Sequence, residues 1–332
     1  MHWYKYFLSI FIVFFLLSCG DYNKIVKGDN YDQKLAKAEQ LFKEKSYNRA
    51  LVLYEQVYQR FPKDAKGELS YFKLGMTYYN LGDYYMSAYY FSNFAQRFPT
   101  SGMIEDAVFY SALSSVHNAP EPSLDQEDTE AAIRELQFFV SRFPTSNRVD
   151  TLNLVMDELR LRIETKAFMT VELYNRMERY NATVASAKAF LDEYPQSKYR
   201  LQVAFMLLDN AYILASRSVF SKKKERLEDV LKIAETYRDL FQTSKYLSKY
   251  LTISEKASRE LEEVDEIDTF EQIVEFYNKS QTASKTKKME YLEETLKLYY
   301  TFAQRYPTSS LMKRAEEIYQ RAERERSSTY SY

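Results

Sequence analysis

The amino-acid sequence predicts an all-α fold built from repeated helical hairpins, and three features lead to this prediction. Glycine is scarce, with 6 residues among 332, which is roughly a quarter of its average frequency. Five of the 7 prolines occur in one recurring motif. Small and aromatic residues precede each copy of the motif at spacings of three and four, which place them on one face of a helix.

The same composition excludes several classes of protein. A Rossmann fingerprint or a P-loop requires clustered glycines near phosphate, and hairpin-rich β folds require glycine in their turns. The 46 Lys and Arg residues balance 47 Asp and Glu residues, so no overall positive field favours nucleic acid. One cysteine cannot form an internal disulfide or a zinc site.

The first 18 residues are typical of a lipoprotein signal peptide. After Lys5, residues 6–17 form an apolar run broken by Ser9, shorter than the ~20 residues of a spanning helix. The string Leu16-Leu17-Ser18-Cys19 resembles the lipobox of bacterial lipoproteins, which implies lipidation of Cys19, the only cysteine. By the same analogy, Gly20 suits transfer to the outer membrane. An ordinary signal peptide or a short anchor with an incidental thiol is the alternative.

A polar tether over residues 19–29 is expected to lead into the repeats, which are marked by an aromatic-Pro-x-Asp/Ser motif. The copies are Phe61-Pro62-Lys63-Asp64, Phe98-Pro99-Thr100-Ser101, Phe143-Pro144-Thr145-Ser146, Tyr194-Pro195-Gln196-Ser197, Tyr306-Pro307-Thr308-Ser309 and the proline-free Phe241-Gln242-Thr243-Ser244. Proline disfavours helical conformation in the preceding residue, and the Asp or Ser can cap the next helix. The motif therefore predicts a helix stop followed by a helix start.

The helices before these stops share one pattern. A small or β-branched residue lies twelve positions before the proline position, at Ala50, Ser87, Ala132, Thr183, Val230 and Thr295. Together with Leu74-Gly75 and Gly82-Asp83-Tyr84 in the second unit, the pattern resembles the tetratricopeptide (TPR) repeat of about 34 residues. The prediction is a TPR-like solenoid of five to six repeats with a C-terminal capping helix.

The units are assigned in chain order. Units one to three occupy residues 30–146, and units four and five occupy residues 147–263. Residues 264–332 form a C-terminal extension, with a divergent helix pair over 268–280 and 289–306, a linker at residues 284–288 and a polar capping helix over 310–326.

The whole pattern resembles the BamD family, the TPR lipoproteins of the outer-membrane β-barrel assembly machine. The matching features are the lipobox at Cys19, the helix pair of unit two, the Leu-Asp-Gln-x-Asp-Thr loop at 124–129, Phe143-Pro144-Thr145-Ser146, the helix from Glu158 to Lys166, and Leu208-Asp209-Asn210-Ala211-Tyr212. The resemblance covers about residues 28–263.

This resemblance implies a lipid-anchored, periplasm-facing scaffold of the outer membrane without catalytic activity. It implies that the N-terminal repeats bind the C-termini of unfolded barrel proteins and that the C-terminal repeats bind the barrel-forming subunit. A TPR lipoprotein that coordinates peptidoglycan synthesis or envelope constriction is the alternative.

The first helices of TPR hairpins line a groove, which supplies candidate residues for peptide binding. They are Phe72, Met76, Tyr79 and Asn80 in unit two, Phe109, Leu113, Val116 and His117 in unit three, and Leu35, Glu39 and Phe42 in unit one. An aromatic groove with an amide suits an extended peptide with aromatic side chains. Phe72 and Phe109 could equally belong to the core between repeats.

No cofactor, metal site or catalytic residue is expected. His117 is the single histidine after residue 18, so a hydrolase would need it as a base. Its position at a helix end instead favours an interaction with the helix dipole. A hydrolase is the third hypothesis.

Overall fold

The computed structural model describes residues 21–330, so the predicted signal peptide and Cys19 lie outside the described residues. Residues 21–330 contain helices and connecting turns, with no strand. The helices are α1 (residues 21–27), α2 (Tyr31–Lys43), α3 (Tyr47–Arg60), α4 (Ala65–Leu81), α5 (Tyr84–Arg97), α6 (Ile104–Asn118), α7 (Glu127–Arg142), α8 (Val149–Arg176), α9 (Tyr180–Glu193), α10 (Arg200–Ser216), α11 (Phe220–Thr236), α12 (Arg238–Gln242), α13 (Leu247–Thr282), α14 (Lys285–Arg305) and α15 (Met312–Tyr330).

Consecutive helices joined by short turns pack on each other, which confirms the predicted fold class of TPR-like helical hairpins. The chain divides into two compact units after Lys166, inside α8. The first unit has cores formed around Phe91 and Leu136, and the second has its largest core around Leu207. The grouping of repeats at residues 146 and 263 stays a prediction.

The small position of each repeat is buried in all six copies. Ala50, Ser87, Ala132, Thr183, Val230 and Thr295 are each 0% exposed. Gly75 shows how close neighbouring helices approach, since a Cβ there would lie 2.9 Å from the Phe91 ring. Small residues at these positions therefore allow the helices to pack against each other.

The predicted helix stops are confirmed at the aromatic residue of the five copies that contain proline. The prediction is wrong for the proline-free copy, because α11 already ends at Thr236 and Phe241 lies inside the short helix α12. Phe61 ends α3, and its N–H donates to the Val57 carbonyl at 3.0 Å. The same bond joins Phe98 to Phe94 at 2.9 Å. The proline that follows has no N–H to continue the ladder.

The predicted helix starts are correct only in the first copy. Asp64 caps α4 directly by accepting from the N–H groups of Lys66 and Gly67, both at 3.0 Å. Ser101 instead accepts from the N–H of Met103 at 3.0 Å, and α6 begins one residue later. The serines cap a turn before the helix because the chain makes an extra turn between the proline and the first helical residue.

These serines also tie neighbouring helices together. The Ser146 hydroxyl donates to the Glu105 carboxylate of α6 at 2.7 Å. Ser101 donates to Glu68 and Ser309 to Glu266 in the same way. We call these three bonds the serine–glutamate contacts. Each joins the turn that a motif forms at the end of a hairpin to the first helix of the same hairpin.

The C-terminal extension differs from the predicted helix pair. Residues 268–280 belong to α13, one continuous helix of 36 residues. No glycine or proline interrupts residues 260–268, and Val264 is buried. The expected linker at residues 284–288 is also wrong, because α14 already begins at Lys285. The polar helix α15 covers the expected capping helix.

Candidate functional site

The predicted groove residues of α4 and α6 divide into buried and accessible sets. Phe72 is 9% exposed, and its ring packs edge-on against Phe91 at 5.3 Å and Phe94 at 5.5 Å. Met76 is half-buried against the same cluster. Their positions favour the core alternative, in which these side chains hold α4 against α5.

The three apolar candidates of α6 are half-buried. Phe109, Leu113 and Val116 pack against a core cluster of unit three. The Phe109 ring contacts Phe139 edge-on at 5.8 Å, and the Arg148 guanidinium lies 4.2 Å from its centroid. The Phe109 ring therefore already has an aromatic and a cationic neighbour within the chain.

The candidates on α2 hold this helix against α3. Glu39 accepts a hydrogen bond from the Tyr54 hydroxyl at 2.9 Å, and burial, followed by the charge of Glu39, raises the pKa of Tyr54. Phe42 packs on Tyr54 and Tyr47. Leu35 is half-buried in the same core.

Two candidates, Tyr79 and His117, come together at the ends of α4 and α6. Tyr79 Oη and His117 Nε2 form a hydrogen bond of 3.1 Å. Tyr84, the first residue of α5, stacks on the His117 ring with centroids 4.2 Å apart and planes 13° apart. The imidazole is thus stacked on one tyrosine ring and hydrogen-bonded to a second tyrosine.

Asn80 extends this group toward α3. Its Nδ2 donates to the Met76 carbonyl at 2.7 Å, and its Oδ1 accepts from the Tyr47 hydroxyl at 3.2 Å. We call Tyr47, Tyr79, Asn80, Tyr84 and His117 the tyrosine–histidine cluster. It lies where α4 and α6 end and where α3 and α5 begin.

Local sequence explains why the cluster forms. Gly82 ends α4 with a positive φ of 78°, a conformation that glycine adopts without strain. Asp83 then caps α5 by accepting from the Met86 N–H at 3.1 Å. This tight connection brings Tyr84 close to Tyr79. The two rings meet edge-on, with their centroids 5.4 Å apart.

The cluster offers polar groups, and the Tyr79 hydroxyl among them is neutral. Burial, followed by the neighbouring Tyr84 and Tyr110, raises the pKa of Tyr79. Its hydroxyl therefore stays protonated near neutral pH and can both donate and accept hydrogen bonds. Aromatic rings beside an amide and a hydroxyl offer ring contacts and hydrogen bonds to a bound peptide.

Sequence reasoning did not find Tyr47, Tyr84 or Tyr110. The usable signal was position. The residue after the turn of a TPR hairpin begins the second helix of that hairpin, and it lies beside the end of the first helix of the following hairpin, as Tyr84 lies beside His117. Tyr84 directly follows Gly82-Asp83, so the turn motif itself pointed to it.

Two further properties of the described part of the chain bear on membrane spanning and metal binding. None of its helices has an 18-residue stretch apolar enough to cross a membrane. Within residues 21–330, no group of three or more His, Cys, Asp or Glu side chains is arranged to hold a metal ion.

Comparison with known proteins supplies the family. The model of the YfiO family, described as outer membrane lipoproteins, matches residues 29–227, which is more than half of the chain. No curated protein matches the chain significantly. The match includes all residues of the tyrosine–histidine cluster and agrees with the resemblance found in the sequence. The chain belongs to the YfiO family of outer membrane lipoproteins.

Proposed function

We propose that this chain is a scaffold of the outer-membrane β-barrel assembly complex, anchored through lipid on Cys19 and facing the periplasm. Its N-terminal repeats bind the C-termini of unfolded barrel proteins, and its C-terminal repeats bind the barrel-forming subunit. Membership of the family supports the membrane assignment. The tyrosine–histidine cluster is the observation that supports peptide binding.

The chemistry of the cluster suits a peptide that ends in an aromatic residue. An added ring can pack edge-on or offset against Tyr79 and Tyr84, and such pairs contribute about 0.5–1.5 kcal/mol beyond burial. Asn80 and the tyrosine hydroxyls can exchange their internal hydrogen bonds for bonds to peptide backbone. Recognition would then depend on the terminal ring and on extended backbone.

A binding measurement tests the peptide site. The probe is a fluorescent ten-residue peptide from the C-terminus of an outer-membrane barrel protein, titrated into the chain without residues 1–18. We expect Tyr84→Ala to weaken binding about tenfold, since a loss of that size equals roughly 1.4 kcal/mol. Tyr89→Ala is the matched control, because Tyr89 is 56% exposed and lies outside the cluster. If Tyr84→Ala and Tyr89→Ala bind the fluorescent peptide with equal affinity, the tyrosine–histidine cluster is not the peptide site.

The assembly role is tested in cells by depletion of the chain. We expect barrel proteins of the outer membrane to fall in abundance and the barrel-forming subunit to co-purify with the chain after crosslinking. Barrel proteins at normal abundance, with defects confined to the cell wall, would instead support a scaffold of envelope or peptidoglycan processes.

A further inference from the structure

Helix α1 lies very close in the chain to the proposed lipid anchor. Asp21 already belongs to α1, and only Gly20 separates it from Cys19. Consecutive Cα atoms are 3.8 Å apart, so the Cα atoms of Cys19 and Asp21 are separated by at most about 7.6 Å. With lipid on Cys19, α1 therefore lies at the level of the phospholipid headgroups.

The inner side of α1 is packed on the first hairpin, which consists of α2 and α3. The Tyr22 hydroxyl donates to the Arg49 carbonyl at 3.0 Å, and the Arg49 guanidinium lies 4.3 Å from the centroid of the Tyr22 ring. Ile25 and Val26 pack against the core of the first repeats. The buried Lys34 of α2 donates to the Val26 carbonyl at 3.0 Å. An anchor at Cys19 therefore holds the first hairpin close to the membrane as well.

Another side of α1 borders a groove that it shares with α2. The groove has a volume of about 520 Å³, and α1 contributes Asp21, Lys24 and Ile25 to it. The remaining lining residues lie on one face of α2, at positions i, i+3, i+4 and i+7. They are Gln33, Ala36, Lys37 and Gln40. Because Asp21 lines the groove, the groove is also close to the anchor.

The lining of the groove suits the phosphate of a lipid headgroup. Lys24 is exposed, and the half-buried Lys37 donates to the Gln40 side-chain oxygen at 3.0 Å. Within residues 21–330, neither ammonium has an ion pair with a carboxylate. Lysine binds phosphate as a point charge, and the exposed Gln33 amide adds N–H donors. Asp21 is the one carboxylate among the lining residues, so two lysines leave the groove with a net positive charge.

We propose that the groove between α1 and α2 binds phospholipid headgroups of the membrane that holds Cys19. Lys24 and Lys37 contact the lipid phosphates, and Asp21 accepts a hydrogen bond from the amine of a phosphatidylethanolamine headgroup. The lipid on Cys19 attaches the chain, and the groove orients the first hairpin on the membrane surface. The inference rests on the proposed anchor, because the anchor brings the groove to the headgroups.

Chemical coupling of the chain to vesicles tests this contact. Cys19 is the only cysteine, so the chain without residues 1–18 can be coupled through its thiol to a maleimide lipid. The vesicles consist of phosphatidylethanolamine and phosphatidylglycerol, and mass spectrometry follows the acetylation of each lysine. We expect Lys24 and Lys37 to react at least about fivefold more slowly on the vesicles than in the uncoupled chain, because a lysine bound to phosphate is less free to attack the reagent.

Lys63 is the matched control lysine. It is exposed beyond the far end of α3, about 16 Å along that helix from Arg49, the residue that Tyr22 contacts. Its acetylation rate should not change on the vesicles. Lys24→Glu should remove the protection of Lys37, whereas Lys63→Glu, which changes the net charge equally, should leave that protection in place.

Three results would overturn the proposal. The first is that Lys24 and Lys37 keep their rates on the phospholipid vesicles. The second is equal protection on vesicles of a neutral galactolipid, since proximity and not phosphate then causes it. The third is equal protection of the uncoupled chain by inorganic phosphate, since the ligand is then the free ion. Coupling supplies the anchor, so each of these results leaves lipidation of Cys19 standing, and fractionation of Cys19→Ala tests lipidation separately.

Discussion

At the scale of single residues, the serines of the recurring motif have a role that their spacing does not reveal. A serine two residues after a proline is typical of a helix cap, and the sequence predicts one at each copy. The structure shows that the hydroxyl also reaches a glutamate of the preceding first helix, as in Ser146 and Glu105. That partner lies in another helix, so local spacing could not identify it.

Replacement of Ser146 by alanine should lower the free energy of unfolding by about 1–2 kcal/mol, because Glu105 loses a donor and the Arg148 N–H loses its acceptor. Urea denaturation measures the change. Thr145→Ala is the control, since Thr145 is exposed in the same turn. Equal losses in the two variants would show that the serine–glutamate contact contributes nothing to stability.

Gly75 is a second residue whose size matters. An added Cβ would lie 2.9 Å from the Phe91 ring, so Gly75→Ala should cost about 1–3 kcal/mol through overpacking. Gly102→Ala supplies the comparison, since a Cβ there meets no atom within 4 Å. Thermal unfolding should separate the two variants. If Gly75→Ala melts at as high a temperature as Gly102→Ala, α4 and α5 can shift to accept the added methyl group without a loss of stability.

At the scale of the element, the end of the chain is held by a cluster around Glu325 of α15. Its carboxylate accepts from the Tyr277 hydroxyl at 2.9 Å and pairs with Lys288 at 2.8 Å. Gln281 donates to it as well. These contacts join α15 to α13 and α14, so the capping helix is held by polar groups as well as by Ala315 and Ala322.

The Glu325 contacts predict a pH dependence. Burial alone raises the pKa of Glu325, but hydrogen bonds from Lys288, Gln281 and Tyr277 lower it below its ordinary value of 4.5. The pKa of Glu325 is therefore lower in the folded chain than in the unfolded chain. The contribution of Glu325 to the free energy of unfolding is fully present above the unfolded pKa, and it is lost as the pH falls through the folded pKa. Glu325→Gln should therefore destabilise the chain at pH 7 and make little difference near pH 3. Urea denaturation at both pH values checks this, and an equal loss at both would contradict it.

The ends of the helices and the tyrosine–histidine cluster show which features the sequence could predict and which it could not. Helix stops were predictable because proline acts on the residue next to it, as at Phe61 and Phe98. The continuity of α13 was missed because repeat counting places a boundary after Glu263, where no residue breaks a helix. The tyrosine–histidine cluster was found in part, because Tyr79 and His117 lie on first helices whereas Tyr84 comes from a second helix.

At the scale of the whole molecule, the proposed attachment to the membrane depends on one residue. Cys19 is the only cysteine, and the proposed anchor requires its thiol. Cys19→Ala should move the chain from the outer-membrane fraction to the soluble fraction, or leave it with residues 1–18 uncleaved, since lipid chains supply about 0.8 kcal/mol per buried methylene. Fractionation followed by mass measurement of the N-terminus distinguishes these results. Normal outer-membrane fractionation of the variant would contradict anchoring through Cys19.

The long helix α13 also determines where the chain can be shortened. The part matched by the family model ends at residue 227, inside α11 and before α13. One core contains Leu227, Val230 and Ile233 together with Tyr250 and Ile253. A truncation at residue 227 would expose the apolar surface of α10 to water and leave α11 incomplete. The limit of family similarity is therefore not a folding boundary, and a soluble fragment of the second unit has to retain α13.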